Sequence, residues 1–288
     1  MIEKIGNSCC RSINIRGRLM DFSRPWVMAI VNVTPDSFYA GSRVFDADAL
    51  RRRIDQVREQ GADAVDLGGY STRPGAPGVS AEEEYRRLAL GLECLRSEWP
   101  EAVVSIDTFR AGVARRCVAE WGADIINDIS GGDMDSAMFE TVAELKVPYI
   151  LMHTRGTPET MQDMCRDEDV TAEVLSDLAH KAGRLRSMGV CDIIIDPGFG
   201  FAKDLPQNYE LLSSLAEFRA LDMPLLVGVS RKSMIYRLLD ITPGESLNGT
   251  TVLNTFALLN GADILRVHDV AEARQAVEIT GRLKKQML

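Results

Sequence analysis

Apolar residues in this chain come in short unbroken runs, each followed by a polar or glycine-rich tip and then by a stretch with helical spacing. The runs fall at 26–33, 64–69, 102–108, 124–130, 148–153, 192–198, 224–230 and 263–269. They are rich in Val, Ile and Leu and lack the apolar/polar alternation of a strand with one wet face. They therefore predict parallel strands buried on both faces. Between them the spacing predicts amphipathic helices, among others at 46–60, 81–97, 168–188 and 271–285. The triplet Gly-Ala-Asp recurs at Gly61, Gly122 and Gly261, with a looser version at Gly189. A glycine that ends a helix just before a strand makes this a repeated joint rather than a binding motif. Eight βα units without a break predict one closed (β/α)8 TIM barrel over 22–288, in preference to an open doubly wound sheet. Residues 1–21 lie outside the repeat and receive no role.

Composition changes this picture little. The 288 residues, 45% hydrophobic and 26% charged, suit one barrel domain. A net charge of −9 with no dense Lys/Arg tract argues against nucleic acid or a membrane surface as partner, since both require a basic face. A small anionic ligand held by a few local cations remains open. The cysteines Cys9, Cys10, Cys94, Cys117, Cys165 and Cys191 form no CxxC pair. With no signal-peptide core in 1–19 and no apolar run of ~18 residues, the expectation is a cytoplasmic protein with reduced thiols.

Chemistry in such a barrel belongs at the C-terminal ends of the strands, and each run here ends in polar groups. The first ends at Asn32, the second opens into Tyr70-Ser71-Thr72-Arg73-Pro74, and the third and fourth end at Asp107 and Asn127. The later tips are His153, Asp196, Ser230-Arg231-Lys232 and Arg266-Val267-His268-Asp269. Asp107, Asn127 and Asp196 could each cap a helix or satisfy loop amides. Yet a carboxylate directly behind Ile193, Ile194 and Ile195 is costly to bury without a partner. Acids and an amide converging on one mouth suit a flat heterocycle with amino and ring N–H donors. Lys232 and Arg266 either pair with those acids or bind carbonyl and phosphate oxygens. No zinc spacing, Walker loop, nucleophile elbow or convincing dinucleotide fingerprint occurs.

From about residue 26 to the C-terminus the chain resembles the dihydropteroate synthase family. The motifs that carry the resemblance are Ile30-Val31-Asn32-Val33-Thr34-Pro35-Asp36-Ser37-Phe38, Gly68-Gly69-Tyr70-Ser71-Thr72-Arg73-Pro74-Gly75, Ser105-Ile106-Asp107-Thr108, Ile125-Ile126-Asn127-Asp128-Ile129, Asp196-Pro197-Gly198-Phe199-Gly200-Phe201, and Ser230-Arg231-Lys232-Ser233 with Arg266-Val267-His268-Asp269-Val270. The resemblance implies a transferase of folate biosynthesis. It would join 6-hydroxymethyl-7,8-dihydropterin diphosphate to 4-aminobenzoate by dissociative substitution at the pterin CH2, releasing diphosphate.

By the same resemblance, Asp107, Asn127, Asp196 and Lys232 hold the pterin, while Arg266 covers the ring and reaches the diphosphate with help from His268. Asn32 contacts a diphosphate-bound Mg2+, and Thr72 touches the pterin diphosphate. Phe38, Thr72, Arg73, Pro74, Phe201 and Ser230 shape the aminobenzoate pocket. Asp107, Lys232 and Arg266 are the implied catalytic residues, a homodimer is the implied assembly, and an aminobenzoate analogue of the sulfonamide kind should compete for the same pocket.

Three positions depart from the family pattern. Tyr70 stands where many relatives have glutamate and is assigned no role. Tyr39-Ala40-Gly41 replaces Ser-Asp-Gly, and Ala202 replaces a glycine before Lys203 with no chemical consequence expected. Three rival readings share parts of the pattern. A pterin-binding methyltransferase domain has no need of the 34–37 and 71–74 loops, and a Schiff-base aldolase would use Lys232. A folate-binding protein would hold the pterin without turnover.

Overall fold

The computed structural model describes residues 11–33, 47–71, 78–157, 160 and 169–287. A hairpin of β1 (Ser12–Ile15) and β2 (Arg18–Asp21) comes first. Eight parallel strands follow: β3 (Trp26–Asn32), β4 (Ala64–Gly68), β5 (Val103–Asp107), β6 (Ile125–Asp128), β7 (Tyr149–Met152), β8 (Ile193–Asp196), β9 (Leu226–Val227) and β10 (Ile264–Val267). The ladder runs β8-β7-β6-β5-β4-β3-β10-β9, and a parallel bridge between Ile195 and Leu225 joins its ends. The Ile195 N–H donates to Pro224 O at 2.9 Å there, so the sheet closes into a barrel as expected. The run 224–230 places just two residues in the ladder. Pro224 has no N–H to offer, and the chain leaves the ladder at Gly228.

Helices lie between the strands: α1 (Ala47–Glu59), α2 (Ala81–Glu98), α3 (Ala111–Trp121), α4 (Met138–Leu145), α5 (Val170–Ser187), α6 (Leu205–Ser213), α7 (Ser233–Leu239), α8 (Leu247–Leu259) and α9 (Val270–Met287). Alternate strand residues face opposite ways. Val27, Val65, Val104, Ile126, Leu151, Ile195 and Leu265 pack outward with the helices. Met28, Ala64, Ile125, Ile150, Ile194, Leu226 and Ile264 pack together inside the barrel.

Ile13, Ile15 and Phe22 join that inner cluster, so the hairpin plugs the N-terminal end of the barrel. Its turn is tight, with Arg16 at φ 52° and Gly17 at φ 80°, the twist that suits a two-residue hairpin. Arg16 grips Asp124 with two bonds of 2.6 and 2.7 Å, Arg11 reaches Asp263 at 2.7 Å, and Asn14 N–H donates to Asp192 at 3.0 Å. These acceptors are the aspartates of the Gly-Ala-Asp repeat and its looser copy. Asp63, Asp124 and Asp263 also take the N–H of Val27, Val104 and Leu225 on the neighbouring strand. The repeat is thus a joint, and its acids clasp the barrel's lower rim.

Candidate active site

Each even-numbered barrel position from β4 to β10 follows one rule. Two residues after the inward Ala64, Ile125, Ile194 and Ile264, the next inward residue is Asp66, Asn127, Asp196 and Arg266. Four side chains from alternate strands form one layer of a (β/α)8 interior, and here that layer is polar. Arg266 donates through Nε to Asp66 Oδ2 and through Nη2 to Asp107 Oδ2, both at 2.6 Å. Asn127 Nδ2 donates to the same Asp66 oxygen at 2.9 Å. Among the described residues, Nη1 of Arg266 and Oδ1 of Asp66 have no partner.

The remaining groups sit above this layer. A Cβ on Gly68 would lie 2.9 Å from Asn32 Oδ1 and 3.9 Å from Asp107 Oδ2, so these two side chains flank one gap that glycine leaves open. A Cβ on Gly228 would lie 3.9 Å from both Arg266 Cβ and Lys232 Nζ, which places the lysine beside the arginine. Lys232 donates to Phe199 O and lies 4.7 Å from the Phe201 ring centroid. Asp196 Oδ1 accepts the Gly198 N–H at 2.8 Å, the loop-amide role anticipated for it, while facing Lys232 electrostatically. Ser230 Oγ lies 3.0 Å from His268 Nδ1 and accepts the His268 N–H at 3.1 Å.

Burial governs the ionisation of this cluster. It pushes Asp107 up to about 7; Arg266 pulls back, while Asp66 and other carboxylates push further. Asp196 is also raised by burial, against the pull of Lys232. Lys232 is lowered to about 8 by burial, with Asp196 opposing. For Arg266 burial acts against the charge, but Asp66 and Asp107 outweigh it and hold the guanidinium ionised. His268 falls to about 4 through burial and the nearby Arg266, so it is neutral near pH 7. The site therefore offers acceptors, an amide and two cations in one cluster at the C-terminal end of the barrel.

The structure brings Asn32, Asp107, Asn127, Asp196, Phe201, Ser230, Lys232, Arg266 and His268 together. Phe38, Thr72, Arg73 and Pro74 lie outside the described residues. Asp66 was missed: it stands within the apolar run 64–69, and a carboxylate inside such a run was the available signal. Asp128, next to Asn127, satisfies loop amides instead, binding Ser130 and Gly132 N–H and the Tyr149 hydroxyl. Tyr70 packs edge-on to Phe109 at 5.2 Å, and both join Ile129, Met152, Met134 and Phe201 in an apolar cluster.

Ala202 carries a conformational cost of its own. Its φ of 49° lies in the left-handed region, where glycine carries no Cβ penalty, so replacing glycine there has a conformational cost. Ala202→Gly is expected to stabilise the protein by about 1 kcal/mol. A urea midpoint that rises with an unchanged slope is the expected reading; an unmoved midpoint would show the strain to be relieved elsewhere.

Comparison with known proteins gives the same direction. Residues 28–268 match the family model described as pterin binding enzyme. The dihydropteroate synthase of Escherichia coli K12 is 42% identical, over 92% of this chain and 93% of that one. Among solved structures, Yersinia pestis dihydropteroate synthase in a sulfonamide drug complex superposes with TM-score 0.88 at 37% identity, covering 95% of this chain and 99% of that chain. Xanthomonas albilineans dihydropteroate synthase with 4-aminobenzoic acid gives 0.87 at 36%, covering 96% and 98%. Fold, site and similarity agree over nearly the whole length: the chain belongs to the dihydropteroate synthase family of pterin-binding enzymes.

Proposed function

We propose that the polar layer and the groups above it form the seat in which this transferase joins 6-hydroxymethyl-7,8-dihydropterin diphosphate to 4-aminobenzoate. The observation that carries the reading is the convergence of Asp107, Asn127, Asp196, Lys232 and Arg266, from five separate βα units, on one cluster at the C-terminal ends of the strands. The Asp196 carboxylate accepts from the pterin amino group and adjacent ring N–H, and Lys232 donates to the ring carbonyl. Asp66 binds Asn127 Nδ2, which orients its Oδ1 as an acceptor. When the C–O bond to diphosphate breaks, the electron pair leaves with diphosphate and positive charge spreads over the dihydropterin. Asp107 is the nearby counter-charge, and Arg266 Nη1 is available to the departing oxygens. The arylamine nitrogen then attacks the CH2 and loses its proton. A cation so reactive needs no strong base.

The residues present fit Mg2+. The gap above Gly68 is bordered by the hard amide oxygen of Asn32, and Mg2+ commonly takes few protein oxygens plus substrate phosphates. Bound there with diphosphate, it would neutralise leaving-group charge. A homodimer fits the surface: Val252, Phe256 and Leu259 of α8 and Ile279 and Leu283 of α9 are exposed apolar residues at helical spacing. Sedimentation checks this. Competition of sulfonamides with 4-aminobenzoate follows from the shared pocket. Free Cys94 and Cys117 suit a reducing cytoplasm, and among the described residues no helix is long and apolar enough to cross a membrane.

The decisive assay follows diphosphate release with both substrates present. Release matched mole for mole by dihydropteroate, and dependent on 4-aminobenzoate and Mg2+, is expected. Pterin binding without turnover would instead leave a binding protein. The ionisations add a second expectation. The kcat/KM for the pterin diphosphate should rise through about pH 7 as Asp107 ionises, and fall above about pH 8 as Lys232 loses its proton. Asp107→Asn should remove the acid limb and Lys232→Met the alkaline one. A flat profile between about pH 6 and 9 would remove both assignments.

A further inference from the structure

Lys203 is a buried cation that the reaction as described does not use. Its ammonium donates to Gly198 O at 3.1 Å and Phe201 O at 3.0 Å, and lies 3.0 Å from His153 Nδ1. His153 is held neutral by burial, its pKa lowered to about 2, so Nδ1 accepts. The carbonyl between the two that Lys203 holds, Phe199 O, accepts from Lys232. Gly198, Gly200 and Ala202 all have positive φ, at 72°, 80° and 49°. This alternation turns the loop's carbonyls inward onto two ammonium groups. Gly198 also passes so near β7 that a Cβ there would sit 2.0 Å from His153 O, which leaves the loop little freedom on that side.

We infer that Lys203 is a positioning residue for the transfer reaction: by holding the carbonyls of Gly198 and Phe201 it sets the Phe201 ring and the Phe199 carbonyl that seats Lys232. The inference rests on the reading above, in which Phe201 lines the aminobenzoate pocket and Lys232 the pterin seat. Lys203 itself touches neither substrate. Its loss leaves Phe201 O without its donor and Gly198 O with the Phe201 N–H at 3.1 Å alone, and the loop must turn to satisfy the stranded carbonyl. The Phe201 ring, at the loop's outer end, then moves most. The pterin seat moves less, because Asp196 and Asn127 are fixed on strands.

The test compares Lys203→Met, Phe201→Ala and the parent by initial rates with each substrate varied in turn. Lys203→Met should raise KM for 4-aminobenzoate about tenfold, and lower kcat, while KM for the pterin diphosphate changes less than about threefold. General loosening of the fold would instead weaken both substrates together and would overturn the inference. A raised aminobenzoate KM in Phe201→Ala with a parent-like value in Lys203→Met would overturn the inference alone. Parent-like values in both would remove Phe201 from the pocket and the inference with it. If Lys203→Met does not fold, Lys203→Gln decides, since it replaces the ammonium that holds both carbonyls by a shorter neutral amide. An aminobenzoate KM raised about threefold supports the inference, and an unchanged one overturns it.

Discussion

Arg266→Ala is expected to lower kcat/KM for the pterin diphosphate by about 10³-fold and stability by about 3–5 kcal/mol. The two losses have different origins. Activity falls because a preorganised cation beside the leaving diphosphate is gone, and one such donor is commonly worth 10²–10³ in rate, roughly. Stability falls because Asp66 and Asp107 are left without their shared partner, Asp66 being wholly buried. Arg266→Lys keeps the charge but cannot reach both acids with a planar fork, so it should fall between parent and alanine on both scales.

The double variant Asp66→Asn with Arg266→Ala separates the effects. Removing the stranded carboxylate should recover part of the stability and none of the activity. The acid limb of the pH profile should also move. Arg266 pulls the Asp107 pKa down from where burial sets it, so in Arg266→Ala the carboxyl titrates higher and activity is lost at a higher pH. Urea denaturation and steady-state rates together check all three. Activity within about tenfold of the parent would take Arg266 out of the reaction.

Much of this was legible in the sequence because a parallel barrel strand is buried on both faces. Unbroken apolar runs such as 125–126 and 193–195 therefore stand out, and the polar residue that ends each is conspicuous. Asp107, Asn127 and Asp196 were found in that way. Asp66 escaped because attention to strand tips overlooks the layer beneath them. It stands two residues before Gly68, the last residue of β4. Counting inward positions from the first apolar one would have reached it, since it occupies the same level as Asn127, Asp196 and Arg266. The alternatives for the two cations resolved differently. Arg266 is paired with acids, whereas Lys232 is held by a backbone carbonyl, a partner that no side-chain pattern reveals. Left-handed Ala202 was equally hidden, because alanine in a loop signals nothing about φ.

The hairpin was illegible for another reason: its strands have four residues each, and Arg16-Gly17 is not among the pairs that advertise a tight turn. Its weight in the fold is nonetheless large, and Ile13→Asp should prevent folding to a soluble barrel. Ile13 is fully buried in one apolar cluster with Met28, Ile125, Ile150, Ile194 and Ile264. Truncating a buried isoleucine costs about 2–5 kcal/mol. An aspartate at that point also needs either an unpaired buried charge or protonation in an apolar plug, which adds several kcal/mol, roughly. The sum is comparable to the ~5–15 kcal/mol that hold a whole domain together. Arg16→Ala is the contrast to measure. Arg16 is half exposed and Asp124 keeps Arg96 at 3.6 Å and the Val104 N–H, so a loss near 1 kcal/mol is expected. Soluble expression, far-UV circular dichroism and urea midpoints read both. If Ile13→Asp folds with a parent-like midpoint, the hairpin is an ornament and the barrel floor is sealed by its own strands. If it fails while Arg16→Ala folds, the apolar plug and not the ionic clasp closes the end of the barrel opposite the site.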